Sequence, residues 1–295
     1  MKIQFLNGGL ANQTFQYIFA RYYELSHPGE IMYLDDSYFA INTVHNGYEL
    51  DKVFNLHPHM LSECFDEDVW EFILEQRKQG KSIPQILCDN GMPISMISEV
   101  GDAYKNFNPF NGEVVKVPTN KYTPEILDIS NDIYYHGYWI NRQWFDKYKD
   151  TFIKELSLPK ITDEKNIQYL NQIHNTKSLS VHIRRGDYVK LGFSNSPDDY
   201  YRYTKTFVDH IHGKWNLFIF SDDIEWCKQN HNAMGFHQFD NVTYVEGNVN
   251  GKNYIDLQLM SECKAMIITN SSFCFLAGLL NTQKPITINT VDRDI

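Results

Sequence analysis

From residue 178 onward, short apolar runs alternate with longer mixed ones. "SLSVHI" (178–183), "NLFIFS" (216–221), "NVTYVE" (241–246), "KAMIIT" (264–269) and "KPITIN" (284–289) are compact and rich in β-branched residues, and each predicts a strand. Between them, "YYRYTKTFVDHIHG", "DIEWCKQNH", "YIDLQLMSEC" and "SSFCFLAGLLN" read as helices. Strand and helix taking turns predicts an α/β fold with a parallel sheet and crossover helices. Ligands of such sheets lie beyond the carboxyl ends of the strands, so the residues that follow each run are the first places to look for chemistry.

The first half is less regular. It opens with a strand, "KIQFL", a glycine turn and an aromatic-rich helix, "QTFQYIFARYYEL". Residues 80 to 125 hold Pro84, Pro93, Pro109 and Pro118 among several Asn and Gly, which predicts loops and short elements. The stretch "YYHGYWINRQWFDKY" (134–148) then interleaves aromatic and polar residues. A boundary near residue 155, around "LSLPKIT", divides the chain into domains 1–155 and 156–295, with no internal repeat.

Composition narrows the class. At 295 residues and 42% apolar content, the chain can bury two cores, and a formal net charge of −10 argues against a general nucleic-acid binder. The apolar stretch after Met1 is too short and too interrupted for a signal peptide, and no run of about 18 apolar residues occurs to make a transmembrane segment, so a soluble cytoplasmic protein is expected. The five cysteines form no C-x-x-C pair and predict reduced thiols. Sequons at Asn12, Asn241 and Asn270 carry no weight in such a protein.

Four strand exits carry the candidate chemistry. In "SVHIRRGDYV" (180–189), alternation sends Val181 and Ile183 to one side and His182 and Arg184 to the other, with Arg185 entering the turn. Two guanidiniums held together call for an anion, and a diphosphate meets them through bidentate, charge-assisted bonds; an ion-pair cluster with Asp187 is the structural alternative. The embedded "RGD" at a core strand's end is not read as an adhesion signal. In "ITNSSFCFLAGLL" (268–280), Asn270, Ser271 or Ser272 caps a helix whose N–H groups accept an anion or simply end the helix. "FSDDIEW" (220–226) offers Ser221 with Asp222 or Asp223, to cap or to contact a base or ribose. "NGGLANQTFQ" (7–16) sets Gly9, Asn12 and Gln13 at a helix start. "HPH" (57–59) and "HIH" (210–212) lack convincing metal partners, and "DRD" (292–294) reads as a charged tail.

Together these stretches resemble glycosyltransferase family 11, the α-1,2-fucosyltransferases. The matching motifs are "GGLANQTFQY", with Ala11 for the usual third glycine; "HIRRGDY"; "FSDD"; and "NSSFC", with Cys274 for the last serine. The resemblance implies a GT-B architecture of two Rossmann-like domains. Domain 156–295 would hold GDP-β-L-fucose, and domain 1–155 would face a galactose-ended acceptor. It further implies inverting transfer to the galactose 2-hydroxyl with no metal or other cofactor. Arg184 would then stabilise the departing diphosphate with help from Arg185, Ser271, Ser272 and Asn12. His182 and Asp222 would hold the guanosine, while Gly9, Ser221, Asn270, Phe273 and Asp256 would complete the donor side, helix capping being the alternative for Asp256. Asp187 would act as general base or orient an arginine. Tyr135, Tyr138, Trp139 and Trp144 would stack on acceptor sugars or pack between domains. Lactose, N-acetyllactosamine and an O-antigen repeat all satisfy the acceptor class. A metal-dependent transferase using "DRD" and a noncatalytic binding module stand as alternatives.

Overall fold

The computed structural model describes residues 1–43, 45–100 and 110–291. The chain forms two compact units, Met1–Ser157 and a second that opens at Leu158. Each is built on a five-stranded sheet in which every pairing is parallel.

In the first unit, β1 (Lys2–Phe5), β2 (Met32–Asp35), β3 (Ser95–Val100), β4 (Val114–Pro118) and β5 (Ile133–His136) lie in the order β2-β1-β5-β3-β4. One core joins Ile3, Met96 and Tyr134 to Ile83, Ile86 and Leu87. Elsewhere in the unit, the ring of Trp139 stacks on Phe19 at 4.3 Å and its Nε1 donates to Gln4 Oε1 at 2.7 Å, and Trp144 meets Phe19 edge-on. Tyr135, Trp139 and Trp144 are thus buried inside this unit and do not form a sugar-stacking surface. Only Tyr138 of that group is partly exposed, its hydroxyl accepting from Asn7 Nδ2 at 3.4 Å.

Pro109 lies outside the described residues, and the described part of the 80–125 region holds short elements, as its prolines predict. Pro84 sits in the first turn of a helix, Ile83–Asp89, where its missing N–H costs nothing, and the Ser82 side chain caps that helix by accepting from Gln85 N. Pro118 ends β4, a largely exposed edge strand that has no partner on its outer side among the described residues.

The second unit follows the sequence pattern closely. Strands β6 (Ser178–Ile183), β7 (Asn216–Ser221), β8 (Asn241–Tyr244), β9 (Ala265–Ile268) and β10 (Ile286–Asn289) lie in the order β10-β9-β6-β7-β8. β6 is buried along its whole length, as a central strand covered on both faces must be. One face packs Leu179, Val181, Ile183, Leu217 and Ile219 against Tyr200, Phe207 and Trp215. Progressing from β6, the chain builds outward to β8 and then returns to β9 on the other side. The strand order therefore reverses between β6 and β9, and the carboxyl ends of these two neighbours are where such sheets place their ligands. No helix among the described residues is long and apolar enough to cross a membrane.

Candidate active site

β6 ends at Ile183, and Arg184 and Arg185 lead into a short helix, Gly186–Leu191. Arg184 is held from two sides. Its Nε and Nη2 donate to Asp187 Oδ1 at 3.0 and 2.7 Å, and its Nη1 lies 2.8 Å from Asp222 Oδ2. Asp222 leaves the neighbouring strand, where Ile183 pairs with Ser221, and its Oδ1 also accepts the Arg185 backbone N–H at 2.8 Å. Gly186 permits this grip, since a Cβ there would stand 2.7 Å from Asp222 Oδ2. A guanidinium carries five N–H donors in a fixed fork. Three are engaged here, which leaves the remainder of a partly exposed, pre-oriented fork for an anion.

Arg185 is placed differently. Its guanidinium lies 3.8 Å from the centroid of the Trp226 ring, and its Nε is 3.7 Å from Asp223 Oδ2. Asp223 also caps the helix Ile224–Gln229 by accepting from Trp226 N at 3.1 Å, and Ser221 Oγ accepts from Asp223 N at 3.0 Å. In "FSDD", Asp222 faces the arginines while Asp223 starts the helix.

His182 is buried, and burial first, then the Arg184 charge, pushes its pKa down to about 3, so the ring is neutral. Its Nδ1 has no hydrogen-bond partner among the described residues, and the ring lies 5.2 Å from that of Phe273. Phe273 comes from the β9 exit. There Ser271 caps the helix Ser272–Leu280, its Oγ accepting from Phe273 N at 3.2 Å, with Ser272 partly exposed at the first helical position. Cys274 points inward, fully buried, donating from Sγ to Ser271 O at 3.1 Å and accepting from Thr269 N at 3.3 Å. The thiol that stands where the family has serine thus closes the turn from inside. Asn270 Nδ2 donates to Phe193 O at 2.6 Å, so this side chain fastens the loop after the Arg184 helix.

The remaining candidates are Gly9, Asn12 and Asp256. Gly9 and Asn12 belong to the first unit, at the start of the helix Leu10–Ser26. That helix end is already met by a carboxylate of the chain, because Leu10 N donates to the buried Glu49 Oε2 at 3.1 Å. Asp256 lies in the first turn of the helix Asn253–Ser261 and accepts from Asn248 Nδ2 at 2.7 Å; Asn248 in turn exchanges amide hydrogen bonds with Asn166. Burial pushes the Asp256 pKa up to about 7.

Among the described residues, no three His, Cys, Asp or Glu side chains gather as a metal-holding group, and "DRD" lies outside the described residues. The sequence reading did not find Trp226 beneath Arg185, nor the Asn270 tether to Phe193.

Comparison with known proteins fits this geometry. The model of glycosyl transferase family 11 matches residues 114–294. An α-1,2-colitosyltransferase of Escherichia coli is 29% identical over 96% of this chain and 89% of its own length. The O-antigen biosynthesis glycosyltransferase WbnK of Escherichia coli is 26% identical over 94% of this chain and 89% of its own. Among solved structures, fucosyltransferase NodZ from Bradyrhizobium superposes with a TM-score of 0.51 at 12% identity, covering 95% of this chain and 92% of that one. At that identity the likeness carries the fold, a GT-B-like pairing of Rossmann-like α/β units. The motifs, the strand-end arginines and the family match agree, and the chain belongs to glycosyl transferase family 11.

Proposed function

We propose that the chain transfers L-fucose from GDP-β-L-fucose to the 2-hydroxyl of a terminal galactose, with inversion and without a metal ion. The observation that carries this reading is the Arg184 fork, bracketed by Asp187 and Asp222 at the end of the strand beside which the strand order reverses. When the bond between fucose and the β-phosphate oxygen breaks, its electron pair stays with departing GDP. A guanidinium already oriented by two carboxylates stabilises that growing charge without reorganising. Asp187, engaged with Arg184 through two N–H groups, serves as its orienter in this scheme. Neutral His182, with an unpartnered ring nitrogen beside Phe273, suits an uncharged nucleobase.

One relative favours a second donor. The α-1,2-colitosyltransferase of Escherichia coli is named for colitose, which is fucose without its 3-hydroxyl. The test offers GDP-fucose and GDP-colitose separately, with a galactose-ended oligosaccharide and excess EDTA, and assigns the product linkage by NMR. An α-1,2-fucosylated product formed at an EDTA-insensitive rate is expected. Product from GDP-colitose alone replaces the donor assignment, and activity lost in EDTA but restored by a divalent ion rejects the metal-free mechanism. Tight GDP binding with no turnover on either donor marks a binding module.

A further inference from the structure

We propose that Phe193 is the platform on which the acceptor's terminal galactose ring lies, and that Asn270 is the residue that positions it. The proposal rests on the transfer reading above and adds a specificity residue to it. Val189, Leu191 and Phe193 are 49%, 59% and 42% exposed, and no residue of the helix Gly186–Leu191 is buried. Phe193 is nonetheless fixed. Gly192 turns the chain with a left-handed φ of 74°, Phe193 N donates to Tyr188 O at 2.9 Å, and Phe193 O accepts from Asn270 Nδ2 at 2.6 Å. Its ring meets Tyr188 edge-on at 6.0 Å, and Tyr188 lies 5.9 Å from the Arg184 guanidinium carbon. An outward-facing aromatic ring thus stands two contacts from the group that would hold the leaving phosphate.

The chemistry of the patch selects its occupant. A pyranose presents an apolar C–H face ringed by hydroxyls. Phe193 offers a flat face followed directly by Ser194 and Asn195, and Asn195 is itself anchored to Asn270 Oδ1 at 3.4 Å. A lipid surface is a poor match, because residues 186–195 carry one lysine, Lys190, whereas recognition of anionic lipid draws on clusters of about 4–8 basic residues. Since ring and backbone are already ordered, stacking a sugar on Phe193 costs little further conformational freedom.

The test compares Phe193→Ala, Phe193→Tyr and Asn270→Ala in steady-state kinetics, with GDP affinity measured by calorimetry. Phe193→Ala should raise the acceptor KM about tenfold, the scale of one lost aromatic contact, with little change in kcat. Its GDP affinity should match wild type, and Phe193→Tyr should restore the acceptor KM. Asn270→Ala should shift the acceptor KM in the same direction. An unchanged acceptor KM in Phe193→Ala, or GDP affinity falling in step with it, overturns the assignment while leaving the transfer reading in place. If wild type binds GDP but transfers nothing, the transfer reading fails by itself. Saturation-transfer NMR of the oligosaccharide with GDP present then decides for Phe193: signal lost in Phe193→Ala supports the platform, and signal retained rejects it.

Discussion

His136 ends β5, the middle strand of the first sheet, and His182 lies one residue from the end of β6, the middle strand of the second. Burial drives both rings to a pKa of about 3, with Arg77 adding to the effect on His136 and Arg184 to that on His182. Their surroundings differ. His136 Nδ1 lies 3.5 Å from Ser98 Oγ, whereas His182 Nδ1 has no partner among the described residues. The neighbouring carboxylates differ in the same way. Glu99 is buried in the first unit and accepts backbone N–H groups of Asn120, Tyr138 and Trp139, so it clasps two turns together. Asp187 and Asp222 in the second unit brace a partly exposed guanidinium. Buried polar groups are ordinarily satisfied within the fold. Among the described residues the first unit also holds unsatisfied hydroxyls, at Tyr48, Thr119 and Thr123, so what sets the end of β6 apart is an orphaned ring nitrogen two residues before a guanidinium with donors to spare.

Substitutions that strike one edge at a time test the contrast. Arg184→Ala should lower kcat/KM by about 10²–10³, or about 2.7–4 kcal/mol of transition-state stabilisation, and leave the melting temperature nearly unchanged. Arg184→Lys should fall close to it, because an ammonium cannot span Asp187 and Asp222 while holding a phosphate. Glu99→Ala should do the reverse. With three backbone N–H groups losing their acceptor, stability should drop by about 3 kcal/mol, read by denaturant melts, while GDP affinity holds. Catalytic loss in Arg184→Ala that merely tracks unfolding would erase the distinction.

The two histidines sharpen it further. His182→Ala should weaken GDP binding by about 5–20-fold, roughly 1–2 kcal/mol, and His136→Ala should leave it alone while lowering stability. For both rings the folded pKa lies below the ordinary 6.5, so the unfolded chain takes up protons first. The stability tied to them is present above pH 6.5 and is lost as pH falls toward 3. Acid melts of the double variant should be correspondingly shallower over that window.

How much of this was readable beforehand follows the same division between units. β7 and β9 carry unbroken apolar runs because helices cover both faces of the sheet, and β6 alternates Leu179, Val181 and Ile183 with Ser178, Ser180 and His182; both patterns announce a strand. β3 and β4 do not. "SMISEV" buries Glu99, and "VVKVP" is an exposed edge, so neither shows the alternation or the continuous apolar run of a typical strand. The prolines marked short elements without saying which kind, since Pro84 opens a seven-residue helix and Pro118 ends a strand. Arg184 and Asp222 were legible as charges at strand exits. The stacking of Arg185 on Trp226 joins residues brought together only by the pairing of β6 with β7. The Asn270 tether ends on a backbone carbonyl, which leaves no mark in sequence. The aromatic stretch at 134–148 was ambiguous because Tyr and Trp serve cores and sugar surfaces alike.

Asp256 carries the smallest expected effect and the opposite sign. Its pKa rises from an ordinary 3.8 to about 7 because burial outweighs the hydrogen bond from Asn248. Between these values the folded chain keeps a proton that the unfolded chain has released. Stability therefore falls as pH rises from about 4 to 7, then levels off. Asp256→Asn retains an acceptor for Asn248 and removes the titrating group. It should melt like wild type near pH 3.5 and be more stable near pH 8 by about 1 kcal/mol, below the full shift because relaxation and water entry relieve part of the cost of a buried charge. An equal gain at both pH values would mean that packing, not the charge, sets the effect. Loss of stability at pH 8 would mean that the ionised carboxylate is the form the Asn248–Asn166 pair requires.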